Sequence, residues 1–187
     1  PIRVGAERVE LYRALISGKR IGVVCNHTSR VEGRLLPDTL RSLGCNVVRL
    51  YTPEHGLRGM ASAGETVKSG RDAELGIEVV SLYGKAKKPT PQQLEGVEVM
   101  LFDLQDVGVR CYTYLSTLHY VVEACAEQGI PLLVLDRPNP NDYLVEGPVL
   151  DTAYRSFVGM HPIAWQHGMT LGELAMLIQR EYMRLPL

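Results

Sequence analysis

The sequence predicts an α/β fold, three layers deep, with a mostly parallel sheet of about five strands at its centre. Three observations predict it. Short runs that are almost continuously apolar recur along the chain, helical patterns separate them, and glycine or proline punctuates the junctions. A strand apolar on both faces is one covered on both faces, which is the situation of a parallel sheet between two layers of helices.

The elements follow in order. Val9, Tyr12, Leu15 and Ile16 share one face of a helix over Glu7–Ile16, and Gly18 supplies its stop. "RIGVVC" (Arg20–Cys25) is short, apolar and rich in β-branched residues, hence a buried strand. A helix from Pro37 to Leu43 ends at Gly44, and "NVVRLY" (Asn46–Tyr51) forms the second strand. "IEVVSLY" (Ile77–Tyr83) forms the third. In "PTPQQL", Thr90 can cap a helix, Pro91 suits its first turn and Gln93 completes a capping box. "VEVMLF" (Val97–Phe102) is the fourth strand, Tyr114–Gln128 a long helix closed by Gly129, and "PLLVL" (Pro131–Leu135) the fifth strand. "TLGE" (Thr170–Glu173) is a second capping box and opens the last helix. The alternation is Rossmann-like, and 187 residues suit one domain over 1–187.

Bulk properties exclude several classes. Twenty basic against twenty-one acidic side chains leave a net charge of -1, which gives no electrostatic case for nucleic acid or an anionic membrane. No apolar run approaches the ~20 residues of a membrane-spanning helix. Cys25, Cys45, Cys111 and Cys125 show no C-x-x-C spacing, so neither a zinc knuckle nor a redox pair is indicated. The first strand runs into "CNHTSRVEG" rather than G-x-G-x-x-G, and there is no P-loop, so no nucleotide cofactor is expected. The run "KAKKP" (Lys85–Pro89) reads as a solvated loop. The chain begins at Pro1, as a trimmed or processed product would, so a leader could already have been removed.

Polar residues gather where strands end. The first strand is followed by Asn26, His27, Thr28 and Ser29, and the second by Thr52, Pro53, Glu54 and His55. Tyr83, Gly84 and Lys85 follow the third, and Asp103, Gln105, Asp106 and Arg110 the fourth. Asp136, Arg137, Pro138, Asn139 and Pro140 follow the fifth. In an open parallel sheet these carboxyl ends share one rim, where ligands bind. Rims are also simply where loops lie.

Each cluster supports particular chemistry. Glu54, between a stiffening Pro53 and the sequence His55-Gly56, is the candidate acid for protonating a leaving oxygen, with Glu65 or Glu146 as a second carboxylate. A loop-pinning role for Glu54 is the alternative. The five histidines form no H-x-x-x-H or HExxH pair, so no metal is expected. Asp103 and Asp106 can hold a cation, orient a sugar hydroxyl, or simply cap loops. Arg58, Arg110 and Arg137 can fork onto an anionic substrate or pair with Asp103, Asp106 and Asp136 next door. Tyr112 and Tyr114 can stack on a sugar ring or pack beneath the long helix.

The motifs "TPEHGLRG", "AGE", "SLYGK", "FDLQDVGVRCYTY", "VLDRPNP", "EGPVL", "FVGMHPI" and "HGMTLGELA" together resemble the bacterial exo-β-N-acetylmuramidase family of the NamZ kind. The resemblance runs in order from about Ile21 to Ala175. It implies a Rossmann-like N-terminal domain in an enzyme that releases N-acetylmuramic acid from non-reducing ends of peptidoglycan fragments, a step of cell-wall recycling. It also implies that Glu54, in the PEHG motif, is the acid or base. The sugar's lactyl carboxylate gives a rim arginine a partner, and Glu65 is the catalytic companion proposed for Glu54. Asn26, His55, Arg58, Gln105, Asp106, Arg110, Tyr112, Tyr114, Arg137 and Asn139 are the substrate-binding candidates. Family members continue into a second domain of comparable size, absent from this chain, and work in the periplasm or outside the cell. Cys111 stands where an aromatic is expected, and "AWQHG" departs from a proline-and-basic version. The alternative reading is a non-catalytic module that binds an amino sugar or peptidoglycan fragment. An oxidoreductase on the same fold would need saturable NAD or NADP binding.

Overall fold

In the computed structural model, which describes residues 2–54, 56–57, 69–84 and 86–183, a 3₁₀ turn (Gly5–Glu7) leads into α1 (Val9–Ile16) and then β1 (Arg20–Cys25). A hairpin of β2 (Arg30–Val31) and β3 (Arg34–Leu35) precedes α2 (Leu36–Ser42) and β4 (Asn46–Thr52). Next come β5 (Gly70–Arg71), β6 (Glu78–Ser81), α3 (Pro91–Leu94), β7 (Val99–Asp103), α4 (Tyr114–Gln128) and β8 (Leu132–Val134). A small antiparallel pair, β9 (Val145–Glu146) with β10 (Gln166–His167), is followed by α5 (Leu171–Leu177) and a π-helical turn (Ile178–Tyr182).

The main sheet has the order β5-β6-β4-β1-β7-β8, parallel throughout except at its β5 edge. From β1 the chain moves outward through β4 to β6, then crosses back to place β7 on β1's other side. The topological switch point is therefore between β1 and β7, whose tips, Cys25 and Asp103, lie in register.

Side-chain alternation builds the two faces. Ile21, Val23 and Cys25 join Leu50, Val99 and Leu101 beneath Tyr12 and Ile16 of α1 and Leu36 and Leu40 of α2. Val24, Tyr51, Met100 and Phe102 face the other way, against Leu115, Leu118 and Val121 of α4 and Leu171 and Leu174 of α5. That gives the three-layer, Rossmann-like arrangement. On the α4 face Gly22 is a necessary gap: a Cβ there would sit 3.0 Å from both Met100 Sδ and Tyr51 Cε2. Tyr51 thereby lies wholly buried across β1, contributing about 1.5–3 kcal/mol by its burial, while its hydroxyl donates to the Gln93 carbonyl at 2.6 Å.

Local signals translate directly into caps. Thr90 Oγ1 accepts from Gln93 N and Gln93 Oε1 from Thr90 N, at 3.2 and 3.0 Å. Thr170 and Glu173 repeat the exchange at 3.2 and 2.9 Å. Differences from expectation fall at edges. The sheet has a sixth strand, β5, whose exposed Gly70 and Arg71 carry no apolar pattern to announce it. The two small hairpins are equally silent. The first helix breaks at Arg8, leaving a separate 3₁₀ turn before it. Lys88 of the basic run is pinned to α4 by Glu123 and Glu127 at 3.1 and 2.7 Å.

Candidate functional site

At the tip of β4 the buried Thr52 and Pro53 deliver Glu54, half-buried, to the rim. Its Oε2 accepts a hydrogen bond from Thr113 Oγ1 at 3.3 Å. Thr113 is the N-cap residue of α4, yet its hydroxyl makes no capping bond and turns to the carboxylate instead. The first turn of that helix favours negative charge beside it. Tyr83 follows β6 at the neighbouring strand tip. Desolvation, then the nearby Glu54 charge, push the Tyr83 phenol above its ordinary range.

Beneath this contact lies the tip of β1. Asn26 is fully buried. Its Nδ2 donates to Tyr114 Oη at 2.8 Å, and its Oδ1 accepts from Thr28 N and Thr28 Oγ1 at 2.9 and 2.6 Å. Gln105 N in turn donates to Thr28 Oγ1 at 3.3 Å. Tyr112 and Tyr114 meet edge to face, centroids 4.8 Å apart. Burial first, then the neighbouring Tyr112 hydroxyl and the Glu54 charge, push the Tyr114 phenol far up. Tyr114 is thus a core residue with one polar handle, whereas Tyr112 keeps a half-exposed ring.

Arg137 and Arg110 have partners within the chain. Arg137 Nε and Nη2 fork onto Asp103 Oδ1 and Oδ2 at 2.6 and 3.1 Å, with the carboxylate fully buried. Burial pushes the Asp103 carboxyl up and Arg137 pulls it back. Arg110 is buried, donates from Nη1 to the Pro148 and Ile163 carbonyls at 2.7 and 2.5 Å, and carries Trp165 against its guanidinium at 5.5 Å. Gln105 Nε2 bonds to the Asp106 and Pro138 carbonyls, tying the β7 tip to the β8 tip. Asn139 is buried between Met169 O and Asn141 N. It fits only because residue 108 is glycine at φ 78, since a Cβ there would land on the Asn139 amide.

Asp103 and Asp106 do not converge. Asp106 Oδ2 accepts from Gly108 N at 2.8 Å and faces His167 Nε2 at 3.6 Å, while Oδ1 has no partner among the described residues. Burial, opposed by the Gly108 and Val107 amides, raises the Asp106 carboxyl to about 6. Burial lowers His167, and since its Nδ1 accepts from Met169 N, the neutral ring carries its proton on Nε2, toward Asp106. Among the described residues no three His, Cys, Asp or Glu side chains gather as a metal-ligand set. The helix after β1 begins at Leu36, and the Leu36 amide is already bonded to the Ser29 carbonyl at 2.8 Å.

The structure therefore joins Asn26, Gln105, Tyr112 and Tyr114 through hydrogen bonds and a ring contact, and ties Glu54 to Thr113, the chain neighbour of both tyrosines. Asp106, Arg110, Arg137 and Asn139 lie in the same rim but are bonded to other parts of the chain. His55, Arg58 and Glu65, together with Lys85, lie outside the described residues. Glu146 is exposed on β9. Sequence reasoning passed over Thr113, and it named Tyr83 at the rim without a role. The signal for Thr113 was available: a hydroxyl residue at the start of a helix facing a strand tip.

Comparison with known proteins agrees with this architecture. A family model described as exo-beta-N-acetylmuramidase NamZ, N-terminal, matches residues 21–186. The peptidoglycan beta-N-acetylmuramidase NamZ of Bacillus subtilis (strain 168) is 47% identical over 174 residues, which are 91% of this chain and 42% of that protein. Two crystal structures of DUF1343 family proteins from Bacteroides fragilis NCTC 9343 superpose with TM-scores of 0.85 and 0.87 at 40% and 39% identity. They match 98% and 97% of this chain, and 48% and 46% of theirs. The chain spans less than half the length of these relatives. With the family model covering most of its residues, the chain belongs to the NamZ exo-β-N-acetylmuramidase N-terminal family.

Proposed function

We propose that the complete protein is a glycoside hydrolase that releases N-acetylmuramic acid from non-reducing ends of peptidoglycan fragments, with Glu54 as general acid/base. The observation that carries this reading is the Thr113–Glu54 hydrogen bond. In the sheet β1 lies between β4 and β7. A contact from the β4 tip to the helix that follows β7 must therefore bridge β1, straddling the switch point where open α/β sheets bind ligands. The Bacillus subtilis relative, named a peptidoglycan beta-N-acetylmuramidase, supports the substrate class.

Chemically, hydrolysis adds water across the glycosidic bond. Glu54 delivers a proton to the bridging oxygen as the bond from the anomeric carbon to that oxygen breaks, and water supplies the new oxygen on that carbon. The proton released by water goes to a carboxylate, and retaining and inverting geometries differ in which one takes it and when. Glu65 is our candidate for the second group. The half-exposed Tyr112 offers a ring face for the sugar, and Arg58 a fork for the lactyl carboxylate. We place the protein in the periplasm or outside the cell, where such fragments arise, acting in cell-wall recycling.

The test is Glu54→Gln in the full-length protein. Turnover of a chromogenic muramide is expected to fall at least ~10²-fold, the low end of acid–base catalysis, and wild-type rates would remove the assignment. Because the chain spans less than half of its relatives, a second reading stands beside it: a module that binds N-acetylmuramic acid without cleaving it. Affinity for that sugar with no hydrolysis, unchanged by Glu54→Gln, would favour the second.

A further inference from the structure

We infer that the open edge of β8 is a docking edge, taken in the full-length protein by a strand from the part of the chain that follows α5. The two edges of the sheet are built differently. At one, β5 is two residues long, antiparallel and exposed, and carries Arg71, as edges that discourage pairing do. At the other, β8 pairs only with β7. It has no charge, bulge or proline of its own, and Leu132, Leu133 and Val134 are all half-buried. Its neighbour β7 is buried along its whole length. The Pro131 carbonyl accepts from Met100 N at 2.9 Å and Leu135 N donates to the Phe102 carbonyl at 2.8 Å, so residues 131 and 135 turn their backbone polar groups to β7. By the two-residue alternation of a strand, Leu132 and Val134 turn theirs to the open edge, where no described residue takes them.

Apolar surface flanks that edge on both faces of the sheet. On one, a cavity of about 720 Å³ opens between β8, α4 and α5, lined by Leu132, Val134 and the exposed Met176. On the other, a cavity of about 340 Å³ lies between β8 and α1, lined by Leu133 and the exposed Leu11. Connectivity names the occupant. β7, α4 and β8 form a strand–helix–strand unit whose helix lies on the Val24 and Phe102 face, and α5 follows β8 onto that same face. The start of α5 is fixed at the β8 tip. Asp136 accepts from Gly172 N at 2.9 Å and from Thr170 Oγ1 at 2.6 Å, and a Cβ on Gly172 would strike that carboxylate. From there α5 runs back along β8, so that Gln179 lines the same cavity as Ile130 and Pro131 at the strand's beginning. A crossover of the same hand as β7–α4–β8 then returns the chain as a parallel strand on the open side of β8. The doubly wound order places one more strand at that position, beyond the five filled here by β6, β4, β1, β7 and β8. The relatives have the chain to fill it: the matching family model is an N-terminal one, and more than half of each relative lies outside the match.

The inference is independent of the role of Glu54. Its test is backbone amide exchange, resolved by residue with NMR, in the full-length protein. Leu133 and Leu135, whose amides face β7, serve as the internal standard. The outward amides of Leu132 and Val134 are expected to exchange within about 10-fold of that pair, because a ladder on each side protects both sets alike. They are also expected to show cross-strand nuclear Overhauser contacts to backbone protons of residues that follow Leu187. Exchange of Leu132 and Val134 more than about 10-fold faster than the standard would show an open edge and overturn the inference. Protection that vanishes as dilution converts a dimer to monomer would give the edge to a second copy and overturn it as well. Protection without contacts to residues after Leu187 would do the same.

Discussion

The two halves of the rim are built differently. Around the tips of β1, β7 and β8, polar side chains are bonded to one another or to backbone: the buried Asp103 to Arg137, the buried Asn26 to Thr28 and Tyr114, and the half-buried Gln105 to the carbonyls of residues 106 and 138. Around the tips of β4 and β6, Glu54 and Tyr83 are half-exposed, and Glu54 accepts from the Thr113 hydroxyl. A charged residue at a strand tip can thus serve either purpose. Hydrogen bonds that tie one strand tip to another mark the half that fixes the rim's shape, and a half-exposed carboxylate marks the half left to act on something else.

The strongest way to break this distinction is to attack the closed half. Arg137→Ala strands the fully buried Asp103 carboxylate, and removing one partner of such a pair costs about 3–5 kcal/mol. Urea denaturation of wild type and variant measures it. A loss under about 1 kcal/mol would mean that Arg137 is a rim arginine like any exposed one.

Asp106 offers a smaller, pH-dependent effect in the same half. Its carboxyl is raised to about 6 by burial against an ordinary 3.8, so between those values the folded state holds a proton that the unfolded state has released. The contribution is therefore present at low pH and is lost as pH rises through about 6. At 1.36 kcal/mol per unit the effect is of order 1–3 kcal/mol. The measurement is the difference in unfolding free energy between wild type and Asp106→Asn at several pH values. Relative to the variant, wild type should weaken from pH 4 to pH 7, and a flat difference would show that the buried carboxyl does not titrate in this window.

Much of this fold was legible because its determinants are local. "RIGVVC" became β1 at its predicted bounds, Tyr114–Gln128 became α4, and both capping boxes formed with the residues that announced them. Strand tips follow from strand order, so a shared rim was legible as well. What each tip residue does there was not. Arg110 closes on carbonyls at 148 and 163, and Arg137 on Asp103 across two strand ends, through partners far away in sequence. Asp103 and Asp106 look like a pair in "FDLQD" but sit in separate environments, because Asp106 turns to Gly108 and His167. Short elements such as β5 and the two hairpins are fixed by pairing alone, and two residues leave no periodicity to detect.

The open half gives the smallest stability effect and the sharpest test of the comparison. Thr113→Val removes a hydroxyl that neither caps α4 nor enters the core, so folding free energy should change by no more than about 1 kcal/mol. The same hydroxyl bonds to Glu54, so turnover of a chromogenic muramide should fall on the order of 10-fold, below the ~10²-fold set by an ångström of misplacement. Stability and activity then separate in opposite senses across the rim: Arg137→Ala loses mostly stability, Thr113→Val mostly rate. If Thr113→Val instead unfolds the protein at full specific activity, its hydroxyl belongs with the shape-fixing bonds, and the half-exposed carboxylate beside it is a loop pin.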